Sequence, residues 1–181
     1  MTRMVLDIVK SRVWANPSPH TYTIDPIAQL LAEEVEDPTQ WVDPFAGFHS
    51  IVSPTHQNDL NPGTPGASHQ DALEWLRALE TEEYDGVLFD PPYSLRQATE
   101  VYQAYGAGQQ QVTNMGYWAR CRDEAARVVK AGGKAICCGW NTGGLGNQRL
   151  FGLDRVLVVP HGGARNDTLV TVEHKKGGRL L

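Results

Sequence analysis

Continuous apolar runs alternate along this chain with segments in which apolar residues recur every three or four positions. The continuous runs are bounded by Gly, Pro, Asn and Asp, which is typical of strands. Near the C-terminus, two such runs flank a loop rich in Gly, Asn and Asp, and this pattern predicts a hairpin. The predicted strands are 41–42, a weaker one at 56–60, 84–89, 134–139, 153–159 and 168–173.

Four segments show helical spacing, and two of them carry clear start signals. Asp25-Pro26 is typical of a helix N-cap followed by proline in the first turn. Asp71 is a second candidate N-cap, because an apolar helical face follows it. Two further helices are expected over 96–105 and 116–130, and Gly132-Gly133 would end the second of these.

Strands that alternate with helices and finish in a hairpin indicate an α/β fold. We expect a three-layer arrangement around a mostly parallel sheet, with an antiparallel C-terminal hairpin. The chain has 181 residues and shows no internal repeat and no clear domain boundary. These features predict a single domain over 1–181.

Composition excludes several classes of protein. The chain is 41% hydrophobic and 20% charged, as in ordinary globular proteins. No apolar run approaches the roughly 20 residues of a membrane span, and the first residues lack the apolar region of a signal peptide. Cys121, Cys137 and Cys138 are odd in number, so we expect reduced core thiols in a cytoplasmic protein. No His/Cys spacing resembles a metal site, and we expect neither a metal nor a membrane partner.

The tetrapeptide Asp90-Pro91-Pro92-Tyr93 directly follows the strand predicted at 84–89. In open α/β sheets, ligands bind at the carboxyl ends of the strands. The Asp90 carboxylate and the Pro91 carbonyl could each accept one N–H of a planar amine, which would free the lone pair of its nitrogen. Proline fixes φ and can hold such a loop in one shape, and the Tyr93 ring offers a face for a stacked base. The alternative interpretation is a plain turn, because Asp and Pro are common in turns.

Three more acids follow predicted strand ends. Asp43 follows the strand at 41–42, Asp59 lies at the end of 56–60, and Asp71 follows a minimal strand. Together with Asp90 they should converge on one edge of the sheet. A cofactor with an ammonium group, a ribose diol and an adenine amine would use three of these carboxylates.

These motifs together resemble the S-adenosylmethionine-dependent amino-methyltransferases that act on nucleic-acid bases. Asp90-Pro91-Pro92-Tyr93 closely matches the catalytic motif of that family, and the resemblance covers about 16–140 and the closing hairpin. It implies a Rossmann-like methyltransferase fold, S-adenosylmethionine as cofactor, and methyl transfer to an exocyclic base amine. The chain resembles in particular a small phage-like or archaeal form of the adenine-specific methyltransferases.

The resemblance also implies a cofactor site. The segment that begins at Asp43 would face the methionine part, Asp59 would accept from the ribose hydroxyls, and Asp71 would accept from the adenine amine. An N-terminal motif at 21–27 would touch the methionine carboxylate. The implied cofactor-binding residues are Thr21, Tyr22, Thr23, Ile24, Pro26, Asp43, Pro44, Phe45, Ala46, Gly47, Asp59, Leu60, Asp71 and Ala72.

Candidates for the substrate side are basic or aromatic residues that follow the catalytic strand. The net charge of −5 argues against nucleic-acid binding through bulk charge, so local basic groups would have to serve. Solvated helix faces are the alternative interpretation of such groups, and Trp140 could equally be a core residue. The candidates are Arg96, Arg120, Arg122, Trp140 and Asn141.

Two features depart from the family pattern. The family usually has a second glycine two positions after the first, but here Gly47 is followed by Phe48 and His49. Phe48 or His49 could therefore lie against the cofactor. The chain also lacks the separate target-recognition domain of sequence-specific DNA methyltransferases. Specificity would then be short, absent, or supplied by a homodimer partner.

Three functions stay open at this level. The first is DNA methylation at an exocyclic amine, with adenine N6 favoured over cytosine N4. The second is methylation of a base amine in RNA. The third is a non-catalytic subunit that binds the cofactor or a partner, which the altered glycine segment would favour.

Overall fold

A computed structural model describes residues 7–105, 115–163 and 165–177. Among the described residues, strands and helices alternate from Val9 to Ala104, a further helix precedes the fourth strand, and an antiparallel strand pair follows. In chain order, the elements are β1 (Val9–Arg12), α1 (Asp25–Glu34), β2 (Trp41–Val42), α2 (Ala72–Ala78), β3 (Tyr84–Phe89), α3 (Leu95–Ala104), α4 (Met115–Val128), β4 (Val129–Gly139), β5 (Phe151–Val159) and β6 (Thr168–Lys175).

The strands form one six-stranded sheet in the order β1-β5-β6-β4-β3-β2. The pairs β2–β3, β3–β4 and β1–β5 are parallel, whereas β6 is antiparallel to both β4 and β5. The predicted fold class, with its antiparallel C-terminal hairpin, is confirmed.

Helices cover both faces of the sheet. On one face, Ile27, Leu30 and Leu31 of α1 pack in a core that includes Leu88. On the other face, the buried sides of α2, α3 and α4 pack around Phe89. Because side chains of a strand alternate between faces, neighbouring residues of β3 contribute to opposite cores, and this gives the three-layer arrangement.

The cysteine prediction is confirmed as far as burial is concerned. Cys121 of α4 and the adjacent Cys137 and Cys138 of β4 are buried free thiols. Cys137 belongs to the core under α4, and Cys138 to the core under α1. In the described part of the chain, no helix is both long enough and apolar enough to cross a membrane.

Two predicted boundaries, the end of the last helix and the start of the strand that follows it, were wrong. The helix predicted over 116–130 ends at Val128, and β4 begins at the next residue because Val129 already pairs with Tyr84 of β3. Gly133 therefore lies within the strand. A Cβ there would come within 2.6 Å of the Asp85 carbonyl oxygen, so the close contact needs glycine.

The weak strand predicted at 56–60 is reduced to isolated bridges. Gln57 pairs with Asp43, and Asn58 pairs with Ser68. The edge strand β1 was not predicted, because three of its four residues are polar. In the structure this strand is largely exposed. Helix α1 begins at Asp25 itself, and Ile24 occupies the N-cap position without a side-chain hydrogen bond.

Candidate functional site

A cavity of about 440 Å³ opens at the carboxyl ends of β2 and β3. Because these strands are parallel neighbours, with Val42 paired to Val87, the loops that follow them meet at one edge of the sheet. Sequence-predicted residues in its wall are Thr21, Tyr22, Pro44, Phe45, Ala46, Gly47, Asp59, Leu60, Ala72, Asp90, Pro91, Pro92 and Tyr93.

The Asp90 loop is held by its own side chains. The Tyr93 hydroxyl donates to Asp90 Oδ1 at 2.5 Å and lies 3.4 Å from the hydroxyl oxygen of Thr21. The backbone N–H of Tyr93 donates to Gln97 Oε1 at 2.9 Å, so the first turn of α3 fixes the loop. The Pro91 carbonyl receives no hydrogen bond from the part of the chain that the structure describes.

Burial raises the pKa of Asp90 to about 6, although the hydrogen bond from Tyr93 opposes this shift. Its carboxylate is therefore largely ionised at neutral pH and can accept an N–H from a ligand. A partly buried, perturbed carboxylate in a cavity is a common property of functional sites.

Asp43 lies beneath the cavity wall. Its side chain is fully buried, with Oδ1 accepting from the Phe45 amide at 3.0 Å and Oδ2 from the Ser50 hydroxyl at 2.7 Å. It does not line the cavity, so its role in this structure is to shape the segment from Pro44 to Gly47. Burial raises its pKa to about 7, and the nearby Asp90 adds to the shift.

Asp59 does line the cavity and also ties two loops together. Its Oδ2 accepts from the Gly47 amide, and its Oδ1 accepts from the Asn61 amide, both at 2.8 Å. The preceding Asn58, which the sequence analysis did not single out, is buried and links Pro44 to Gln70 through three hydrogen bonds. The only sequence signal for Asn58 was its position beside Asp59.

Asp71, which the resemblance assigns to the adenine amine, has its carboxylate hydrogen-bonded within the protein. It caps α2 through the amides of Leu73 and Glu74, and its Oδ2 accepts from the hydroxyls of Tyr117 at 2.8 Å and Tyr102 at 3.3 Å. It is absent from the cavity wall. Its hydrogen-bonding capacity is directed into the protein, where it joins α2, α3 and α4.

The N-terminal motif divides in two. Thr21 and Tyr22 line the cavity, whereas Thr23, Ile24 and Pro26 line a separate recess beside α1. Thr23 donates to the His20 carbonyl at 2.8 Å, and Ile24 is buried in the core under α1. The latter three residues therefore shape the segment from behind.

A smaller recess of about 80 Å³ adjoins the loop formed by Asp90-Pro91-Pro92-Tyr93. Pro91, Pro92 and Tyr93 line it as well as the main cavity. Its other walls include Arg122, Trp140 and Asn141, three of the residues predicted for the substrate side. The rings of Trp140 and Tyr93 lie 5.8 Å apart at 67°, so they form an aromatic corner.

The other two predicted basic residues lie elsewhere. The Arg96 side chain is 88% exposed and forms an ion pair with Glu100 one helical turn along α3. Arg120 is exposed on α4 and lines neither recess. Arg122 differs from both, because its guanidinium lies over the Phe89 ring at 5.7 Å. Within the described ranges, no group of three His, Cys, Asp or Glu side chains could hold a metal ion.

No protein-family model and no curated protein matches this chain. Among solved structures, it is similar to TrmN from Thermus thermophilus, with a TM-score of 0.51 and 19% identity over 84% of this chain and 49% of that chain. It thus spans about half the length of TrmN. The putative methyltransferase yhhF from Escherichia coli aligns over 90% of this chain and 92% of its own, at 12% identity and a TM-score of 0.49. The chain has the Rossmann-like methyltransferase fold.

Asp43→Asn should make stability less dependent on pH between about pH 4 and 7. The folded state raises the pKa of Asp43 from 3.8 to about 7, so it binds the proton more tightly than the unfolded state and loses stability as the pH rises. Asn can keep both hydrogen bonds, accepting from Phe45 and donating to Ser50. At about pH 8 the variant should be more stable by about 1–4 kcal/mol.

Urea unfolding of both proteins at about pH 5 and about pH 8 measures this difference. Asp85→Asn is the matched control, because Asp85 is an exposed acid on β3 paired with Lys130. An Asp43→Asn variant that is less stable than the wild type by the same amount at both pH values would contradict the prediction.

Proposed function

We propose that this protein transfers a methyl group from S-adenosylmethionine to an exocyclic base amine in DNA, with adenine N6 as the target. The observation that carries the proposal is the position of Asp90-Pro91-Pro92-Tyr93 beside two recesses, of which Asp90 lines the main cavity. Pro91, Pro92 and Tyr93 line both, and the recesses differ in size as a cofactor site and a base entrance would.

The main cavity has the chemistry that the cofactor needs. Its volume of about 440 Å³ falls in the range of roughly 300–1,000 Å³ typical of small-ligand sites. Phe45, Leu60, Ala72 and Val101 supply an apolar wall that suits an adenine ring. Asp59 is the carboxylate on the wall that could accept from ribose hydroxyls. When bound, S-adenosylmethionine supplies an activated methyl group on a sulfonium.

The chain's own groups would orient the target amine. The Asp90 carboxylate accepts one N–H and the Pro91 carbonyl accepts the other, which turns the lone pair of nitrogen away from the ring. Because the reacting methyl is already activated, the protein contributes mainly position and electrostatics. The Tyr93 hydroxyl now occupies Asp90 Oδ1, so the amine would displace it or bind the second carboxylate oxygen.

A base inside a duplex cannot reach this loop unless it leaves the stack, which costs a few kcal/mol. Stacking on an aromatic side chain offsets about 1–3 kcal/mol of this cost. The corner formed by Tyr93 and Trp140 supports this step.

The small surface left for binding DNA favours an enzyme whose recognition sequence is short or relaxed. A specific protein–DNA interface typically buries about 1,000–2,500 Å² of protein, and this chain of charge −5 offers few basic side chains for one. A base-reading element between Tyr102 and Tyr117 would fall mostly on residues 106–114, which lie outside the described residues. Tyr102 and Tyr117 themselves are buried helix-packing residues. We therefore propose that any strong specificity comes from dimerisation or from a partner.

Asp90→Ala should abolish methyl transfer, while affinity for S-adenosylmethionine changes by less than about fivefold, because Asp90 contacts the target amine. Tritium transfer to DNA and to RNA, with calorimetry of cofactor binding, measures both effects. Asp85→Ala on β3 is the control, since Asp85 is exposed.

Retained turnover in Asp90→Ala would overturn the assignment of Asp90. Wild-type transfer to RNA but not to DNA would replace the DNA substrate with RNA. Cofactor binding without transfer to either would favour a non-catalytic subunit.

Tyr93→Phe should shift the acidic limb of the pH–rate profile to higher pH. The hydrogen bond from Tyr93 lowers the pKa of Asp90, so its loss raises that pKa and less carboxylate is ionised near pH 6. Above about pH 8 the Phe variant should retain most activity because it keeps the ring. Tyr93→Ala should lose about ten- to a hundredfold in kcat/KM at all pH values, since stacking is lost. An unshifted Phe profile would contradict this account.

Arg122→Ala should raise the KM for nucleic acid about three- to thirtyfold and lower the dependence of binding on salt. Arg122 lines the recess beside Tyr93, whereas Arg96 is exposed and paired with Glu100. Arg96→Ala, the control, should change KM by less than about twofold. Arg122→Lys should recover part of the loss because it keeps the charge. Equal effects of Arg96→Ala and Arg122→Ala would contradict the assignment of the recess.

A further inference from the structure

The main cavity has an uneven distribution of charge. Its wall carries the carboxylates Asp59 and Asp90, and Asp43 lies just beneath it. Within the described residues, no Lys or Arg lines it. His20 and His49 also line it, and an imidazole carries at least one N–H donor. An anionic group of a ligand would be bound there by neutral N–H and O–H donors, among which these two imidazoles lie together.

The two imidazoles come together from separate segments. His20 precedes the 3₁₀ turn Thr21–Thr23, and His49 follows the segment that begins at Asp43. Their ring centroids lie 4.5 Å apart at 57°, and the Phe48 ring meets His20 edge-on at 6.2 Å. The backbone N–H of His20 donates to Ser18 Oγ at 3.1 Å, which fixes the turn.

Neither imidazole is used by the fold. The structure records no hydrogen bond or ion pair from either ring to the described part of the chain. His49 is exposed, and Phe48 beside it is 50% exposed, so these rings are not core residues. Both imidazoles therefore line the cavity, and their ring nitrogens have no hydrogen-bond partner in the described part of the chain.

We propose that His20 and His49 together bind the α-carboxylate in the methionine part of S-adenosylmethionine, an inference that rests on the proposed function. The carboxylate is the ligand's one anionic group, while its sulfonium and ammonium groups are cations that suit the carboxylates of the cavity. Hydrogen bonds to a charged acceptor are stronger than neutral ones.

Ligands with and without the amino-acid part test this directly. S-adenosylmethionine carries the carboxylate, whereas 5′-methylthioadenosine has the same nucleoside and lacks it. Calorimetry with His20→Ala and with His49→Ala should show affinity for S-adenosylmethionine lowered about five- to fiftyfold. Affinity for 5′-methylthioadenosine should change by less than about twofold. His49→Gln should recover part of the loss, because its amide keeps an N–H donor.

The control is His174→Ala, since His174 lies on β6 paired with Asp154. Equal losses for both ligands would assign the two histidines a purely structural role and overturn the inference. Unchanged affinity for S-adenosylmethionine in the double variant would overturn it too. Wild-type protein that binds neither ligand would overturn the proposed function itself, a result that is distinct from either of these.

Discussion

The parallel pairing of β2 with β3 is the contact on which the rest of the site depends. Trp41 pairs with Gly86 and Val42 with Val87, so the two strands end side by side. The pairing needs glycine at position 86, because a Cβ there would lie 2.6 Å from the Trp41 ring. Since both strands point the same way, the acids that follow them reach the same edge of the sheet. The cavity forms between the loops that begin at these acids.

Polar side chains continue the structure where the strands stop. Beyond β2, isolated bridges and a few backbone hydrogen bonds join the neighbouring segments, and the side chains of Asn58 and Asp59 add hydrogen bonds to backbone amides and carbonyls. Asp71 does the same between helices with the hydroxyls of two tyrosines. Buried polar groups need such partners, so these side chains fix the loops while leaving the cavity open.

Placing carboxylates together at a buried edge has an electrostatic cost. Burial raises the pKa values of both Asp43 and Asp90, and their mutual repulsion adds to the shift at Asp43. Burial, and after it the charges of Asp43 and Asp90, raise the pKa of Tyr22 well above its ordinary value. Against this acidic background, the imidazole pair of His20 and His49 supplies N–H donors to the cavity. A zwitterionic ligand with cationic groups beside its carboxylate matches both.

The sequence by itself determined the α/β class, the closing hairpin, and the position of Asp90 directly after β3. These are local properties, since strand runs, turn residues and caps act over a few positions. It did not determine which acids face the cavity. Asp59 does, whereas Asp43 and Asp71 turn inward to amides and hydroxyls, and only Arg122 of the three predicted arginines reaches a recess. The meeting of His20 with His49 was likewise decided by the tertiary structure. Side-chain direction depends on partners distant in sequence, and a pattern of residue types along the chain does not contain those distances.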